Sequence, residues 1–313
     1  MTAKLDREQL AAELSALDNV LASVRPNDLL GRIGLESRRR EIVRQLEELS
    51  GAVENRAKVA LFFGGEPVVG SMGIQAGFGT KAVGSFQDLL SKVWSTVDGG
   101  ALQPMGPIRD KDASTLHITN LVHGSFGFLL EEIDEGATEM MFETALKKAA
   151  DQVADYITAF ADENEATFSR VIEDVNPRVF LSIRDFFGYM HKGHATFRLV
   201  EGHRDEKFDH VAVERAWLRA EASKVDEDRI TVKGKLLGII PIGRRFEFEM
   251  DGSQQVTSGQ IGEKFGQTYL ERMSTQQFAG RRWRAVFHRK VIEKAGRMPV
   301  EKYTLLELEE ITE

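Results

Sequence analysis

The 313-residue sequence predicts an α+β protein in three parts: an N-terminal antiparallel helical hairpin (1–57), a central β-hairpin/helix region (58–195) and a β-rich end (196–313). Three observations carry that prediction. Leucines near the N-terminus recur at alternating spacings of four and three. The middle of the chain alternates short apolar runs with long amphipathic helical patterns. The last third holds several period-two segments in succession, which read as a small antiparallel β-barrel.

The hairpin comes first. Leu10, Leu14, Leu17, Leu21 and Val24 have the seam spacing of a coiled coil. Pro26 breaks the helix, and Asn27-Asp28 suits a turn. The pattern resumes at Leu35, Ile42, Leu46, Leu49 and Val53, with Gly51 as a stop signal. Two such helices joined by a short break should fold back on each other. Their apolar stripe either caps the body of its own chain or meets a second copy. A two-helix hairpin buries little apolar area by itself, so Leu10, Leu14, Leu17, Leu21, Leu46 and Leu49 are candidate oligomerisation residues.

In the middle region, Val59–Phe63 reads as a strand, Gly64-Gly65 as a hairpin turn and Glu66–Gly70 as the return. A helix is expected at 80–96 and a Gly/Pro-rich loop at 98–114. Leu116–Ile133 reads as a strand bent at His123-Gly124. Helices follow at 138–160, capped by Thr138, then at 164–175 and at 177–190 with Pro177 in its first turn. Gly70-Ser71-Met72-Gly73-Ile74 and Gly124-Ser125-Phe126-Gly127-Phe128 share a pattern that suggests a duplicated β-hairpin–helix unit. In the last third, strands are expected at 197–200, 230–241, 244–250, 255–261, 281–292 and 301–308, with helices at 207–222 and 263–275.

Composition narrows the chemistry. The absence of cysteine excludes disulfides, thiolate metal sites and cysteine nucleophiles. Charged residues are spread through positions 1–25, and no segment offers the roughly 20 apolar residues of a membrane helix, so a cytoplasmic protein without membrane partners is expected. A net charge of −8 disfavours non-specific nucleic-acid binding by the whole molecule but leaves room for a local basic face.

That face is sought at 281–290. On a strand, Arg282, Arg284, His288 and Lys290 share one side, while Trp283, Ala285, Phe287 and Val291 share the other. The basic side could contact phosphates or an acidic partner, or pair with Glu247, Glu249, Glu307 and Glu309 of neighbouring strands. Gly77, Gly79 and Lys81 form a weak phosphate-site candidate at a strand-to-helix junction, without the Gly-Lys-Ser/Thr order of a P-loop. His123 and Ser125 face one side of a strand but belong to no nucleophile elbow. His191, His194, His203 and His210 match no metal-ligand spacing, and Glu131, Glu132, Asp134 and Glu135 read as a solvated turn. No catalytic residue, cofactor or metal ligand is predicted. The leading expectation is a non-enzymatic, self-associating interaction or scaffold protein. The alternatives are a nucleic-acid-associated protein using the basic strand, or an enzyme with a phosphate-containing ligand near 77–81.

Overall fold

A computed structural model describes residues 2–24, 28–51, 54–98, 102, 105–122, 126–133, 142–240, 243–253, 255–262, 265 and 278–311. The fold is α+β, with an N-terminal helix pair and a closed five-stranded barrel at the C-terminal end. The chain divides into two compact units. One holds Met1–Val171 with Arg178–Ala220, the other Ile172–Pro177 with Glu221–Glu313.

Helices α1 (Ala3–Ser23) and α2 (Leu29–Gly51) form the pair. Thr2 caps α1, its hydroxyl accepting from the Leu5 amide. The helices run antiparallel. At the base, the Ala3 amide donates to Glu54 Oε1 at 2.6 Å; further out Arg38 pairs with Glu13 (2.6 Å) and Arg39 with Asp18 (2.8 Å). The expected break at Pro26 and Asn27 lies outside the described residues, as does Val53.

The first unit is built on a five-stranded antiparallel sheet. Its strands are β1 (Lys58–Gly65), β4 (His117–Val122), β5 (Phe126–Glu131), β6 (Ala195–Glu201) and β7 (Arg204–Phe208), in the order β4-β5-β1-β6-β7. β1 is central and almost wholly apolar because both of its faces are covered. Phe63 packs edge-on against Phe78 of α3 (Ala76–Val97), and Phe197 of β6 against Phe186 of α6 (Pro177–Lys192). On the opposite face Ala60, Phe62, Leu129 and Val200 take Leu5 of α1, which roots the helix pair in the sheet. Helices α4 (Ala145–Ala161), α5 (Glu165–Asp174) and α7 (His210–Glu221) complete the elements before the barrel.

Several expectations change here. β1 does not turn back on Glu66–Gly70 but pairs with β5 and β6; Val68–Val69 (β2) pairs instead with Gly73–Ile74 (β3). At Gly65, φ is +86° and a Cβ would sit closer than 3.0 Å to the His194 carbonyl, so glycine serves the approach of β6 rather than a hairpin turn. The stretch 116–133 is no bent strand but two antiparallel strands, β4 and β5. The cap of α4 is Thr144, whose hydroxyl accepts from the Lys147 amide; Thr138 lies outside the described residues. The described glycines of the shared Gly-Ser pattern differ in setting; Gly124 and Ser125 lie outside the described residues. Gly73 opens the two-residue strand β3 ahead of α3, whereas Gly127 lies within β5 opposite Phe62 of the central strand β1. The stretch 196–220 adds β6 and β7 to the first sheet, so the β-rich unit takes up at Glu221 rather than at 196.

The second unit is the barrel: β8 (Ser223–Ile240), β9 (Arg245–Met250), β10 (Val256–Ile261), β11 (Arg282–Lys294) and β12 (Val300–Glu310). Its order is β10-β12-β11-β8-β9, closed on itself. Four pairings are antiparallel, as expected, but the barrel closes through a parallel β10–β12 pair. The first strand therefore pairs with the second and fourth, and the third with the fifth, which is OB-fold connectivity. Connectivity alone assigns no function. Leu236, Phe246, Phe248, Trp283, Phe287 and Leu305 fill the interior, and the Trp283 indole N–H is satisfied by the Phe278 carbonyl at 2.9 Å. Of the helix expected at 263–275, only Phe265 is described.

Candidate functional site

The helix pair offers the most incomplete packing. Leu10, Leu14, Leu17, Leu21, Leu35, Leu46 and Leu49 are all half-buried, whereas Ile42 is fully enclosed and Ala3 and Leu5 are buried at the base. Val20 and Ile33 are 48% and 60% exposed. At the root of the pair Leu5 is anchored with Ala60, Phe62, Leu129 and Val200 of the sheet. The six leucines predicted for oligomerisation are neither fully enclosed nor fully exposed.

The basic strand is β11. Its partner β8 adds cations that spacing along one segment could not reveal: Lys235 lies opposite Arg282, Lys233 opposite Arg284 and Arg229 opposite His288. Like charges directly across a sheet repel. Acids flank these pairs on both sides. Arg284 pairs with Glu309 at 3.2 Å, Arg282 pairs with Asp251, His288 Nε2 lies 3.4 Å from Glu227, and Glu249 of β9 stands opposite Lys235. Lys290 leaves the exposed face entirely. It is buried, donates to the Val175 carbonyl at 2.6 Å, and burial holds its ammonium down at about 8. The outer face of β9 and β10 presents Arg245, Glu247, Glu249, Val256, Ser258 and Gln260, with no aromatic side chain among these described residues.

No protein-family model, curated protein or solved structure matches this chain.

The remaining candidates resolve into packing. Gly79 lies inside α3, where a Cβ would press on Ile74 at 3.2 Å and meet Phe128 at 3.5 Å. The Gly77 carbonyl accepts from the Tyr189 hydroxyl at 3.4 Å, and the Lys81 ammonium sits 4.8 Å from the centre of that tyrosine ring. His191 stacks on Trp217 at 4.1 Å, and among the described residues no cluster of three or more histidines and acids has metal-binding geometry. His123, Ser125, Asp134 and Glu135 lie outside the described residues. Glu132 is structural: its carboxylate accepts from the Ala57 amide and the Thr144 hydroxyl, both at 2.8 Å.

Two polar clusters escaped the sequence reading. In the first, Ser182 donates to Asp88 at 3.0 Å and accepts from Lys92, which is itself 2.7 Å from Asp88. A Ser–Lys nucleophile needs a neutral amine. Burial pushes the Asp88 carboxyl up, yet its bond from Lys92 outweighs that and leaves it below its ordinary value, so the cluster is held together as an ion pair that also engages Ser182.

In the second cluster, Lys147 of α4 donates to both Asp151 oxygens (2.7 and 2.8 Å) and lies 2.6 Å from Glu201 Oε1. Lys147 and Glu201 are buried beneath the sheet. The i,i+4 spacing of Lys147 and Asp151 was visible in the sequence; the third member, fifty residues on, was not. Burial, with the Asp151 carboxyl beside it, raises Glu201 to about 7. Burial also pushes Asp151 upward, but hydrogen bonds from Glu201 and Lys147 prevail and hold it below its ordinary value. The two carboxyls thus titrate as a pair, Glu201 being the more readily protonated member.

The sign of the pH effect follows. A carboxyl raised in the folded state favours folding most below its unfolded value of 4.5, and that contribution is lost as pH rises through about 7. Asp151 acts oppositely, its contribution being lost as pH falls below 3.8. Urea unfolding of the first unit should therefore show lower stability at pH 8 than at pH 5, and Glu201→Gln should flatten that difference. An unchanged slope in the variant would assign the effect elsewhere.

Proposed function

We propose that this chain is a non-enzymatic interaction protein that self-associates through its helix pair, a second copy covering the leucine seam in coiled-coil-like, four-helix packing. The observation that carries this reading is the run of half-buried leucines on the helix pair, Leu10, Leu14, Leu17, Leu21, Leu46 and Leu49, with Val20 and Ile33 left open. Charge favours a second copy as the occupant. α1 has an acidic excess (Asp6, Glu8, Glu13 and Asp18 against Lys4 and Arg7), whereas α2 has a basic one, with five arginines against four glutamates. Glu13 and Asp18 are already paired with Arg38 and Arg39 of their own chain; a two-fold arrangement that lays α1 of one copy beside α2 of the other would bring the remaining charges of opposite sign together. Arg40 is a candidate for such a pair: among the described residues its side chain reaches the Glu36 carbonyl of its own helix, at 3.5 Å. The lack of cysteine suits a reducing compartment such as the cytoplasm.

Nucleic acid is the less favoured partner. The cations of β8 and β11 alternate with acids on β9 and β12, and residues 221–313 carry 16 Lys/Arg against 15 Asp/Glu.

Light scattering tests the proposal. Wild-type protein should show twice the chain mass, and Leu14→Glu with Leu21→Glu should return it to one chain mass without shifting the unfolding transition of the body. Removing the whole hairpin is a poorer test, because Leu5 belongs to the core of the sheet. A wild-type protein of one chain mass at every concentration up to roughly 100 μM would remove the idea, since an interface of standard size associates well below that.

A further inference from the structure

We propose that a cavity beside the start of α4 binds a small alkylammonium ion of the quaternary type. The cavity measures about 480 Å³, within the range of small-molecule sites. Its walls are apolar and aromatic, with Trp94, Phe142, Leu146 and Ala113, and its charged lining residues are Glu132 and Glu143. That combination selects a specific chemistry. Aromatic faces attract a cation whose charge is spread over methyl groups, and the carboxylates set the sign without requiring a hydrogen-bond donor from the ligand. A compact ammonium such as lysine would have to shed tightly held water to enter an apolar wall; a methylated one would not.

An anion is excluded by the same geometry. The cavity adjoins a helix start, which ordinarily favours negative charge. Here the Thr144 hydroxyl already caps that start, accepting from the Lys147 amide, and Glu132 is hydrogen-bonded to Thr144. Two full negative charges outweigh the half-charge of the helix end.

Phe142 is the informative residue. It is 80% exposed, so the fold gains little from it, yet it lines the cavity wall. A large apolar side chain held in water next to a carboxylate pair acquires a purpose once a cation lies against it. Its removal therefore separates binding from folding.

The test is calorimetric titration of the full chain with choline and with its neutral isostere 3,3-dimethylbutanol, alongside a peptide carrying trimethyllysine. Saturable binding of choline or the peptide, at least about tenfold tighter than the isostere, is expected from the cation–aromatic and carboxylate contributions. The tighter of the two cations identifies whether the ligand is free or borne on a peptide. Phe142→Ala and Glu143→Gln should each weaken binding about fivefold or more with an unchanged melting temperature. Equal binding of the isostere, variants that bind like wild type, or no saturable heat with either cation up to roughly 50 mM would each overturn the proposal.

Discussion

Lys147→Met is expected to destabilise the first unit by about 3–5 kcal/mol at pH 8, because it leaves the buried Glu201 carboxyl and its half-buried neighbour Asp151 without their cation. Lys147 is the only positive group that touches both Asp151 and Glu201 in the described contacts, at 2.7 and 2.6 Å. Without it Glu201, 2% exposed, must be neutral for the unit to fold, and Asp151 loses two hydrogen bonds. Replacing one partner of a buried pair costs far more than replacing all of it. Lys147→Met combined with Glu201→Gln should therefore recover part of the loss, a positive coupling that a double-mutant cycle reads directly. The cost of Lys147→Met should also shrink at pH 5, where the Glu201 carboxyl is protonated anyway. Equal costs at both pH values would show that Lys147 acts through its aliphatic stem rather than its charge. Because the two units can unfold separately, the measurement needs a probe in the first, such as Trp94 or Trp217.

What the sequence made legible was local, and what it concealed was pairing. The helix pair, the Pro177 start of α6 and most barrel strands follow from periodicity, capping and turn residues, which act over a few positions. Pairing is decided by residues far apart in the chain. Gly64-Gly65 has the composition of a hairpin turn, yet β1 continues through it because β6 needs a glycine alongside. The parallel β10–β12 closure leaves no mark on either segment alone. The candidate residues show the same division. The alternation on β11 correctly separates Trp283, Ala285 and Phe287 from the polar face. It could not foresee that Lys290 is covered by the Val175 carbonyl, nor that Lys233 and Lys235 stand opposite Arg284 and Arg282. Likewise the leucine spacing marked the seam, but its half-burial emerged only with the second helix in place.

Gly259→Val should open the barrel, at a cost of about 3 kcal/mol or more to the second unit. Gly259 lies on β10 opposite Phe246 of β9 and beside β12. A Cβ there would sit closer than 3.0 Å to both the Tyr303 carbonyl oxygen and the Phe246 ring. The carbonyl cannot rotate away, since it belongs to the strand that closes the barrel. Nor can the ring, which is 1% exposed and stacked on Phe287 at 5.1 Å. Gly234 on β8 has the same relation to Phe248 and the Glu249 carbonyl. The two glycines explain how so small a barrel encloses the Phe246 and Phe248 rings: the strands bend over them where no side chain intervenes. A valine at 259 forces either the ring or the β10–β12 pairing to give. Strand pairing should yield first, because it rests on a short parallel contact, Gln260 with Thr304 and Ile261 with Leu305. Hydrogen exchange should then accelerate at 256–261 and 300–305 while β8–β11, the longest pairing in the unit, stays protected. Trp283, 2% exposed in the barrel core, supplies an independent readout, with a red-shifted emission expected once Trp94 and Trp217 are replaced by phenylalanine. Unchanged exchange at β10 would mean that the barrel absorbs the side chain by repacking its rings, and that closure does not depend on this glycine.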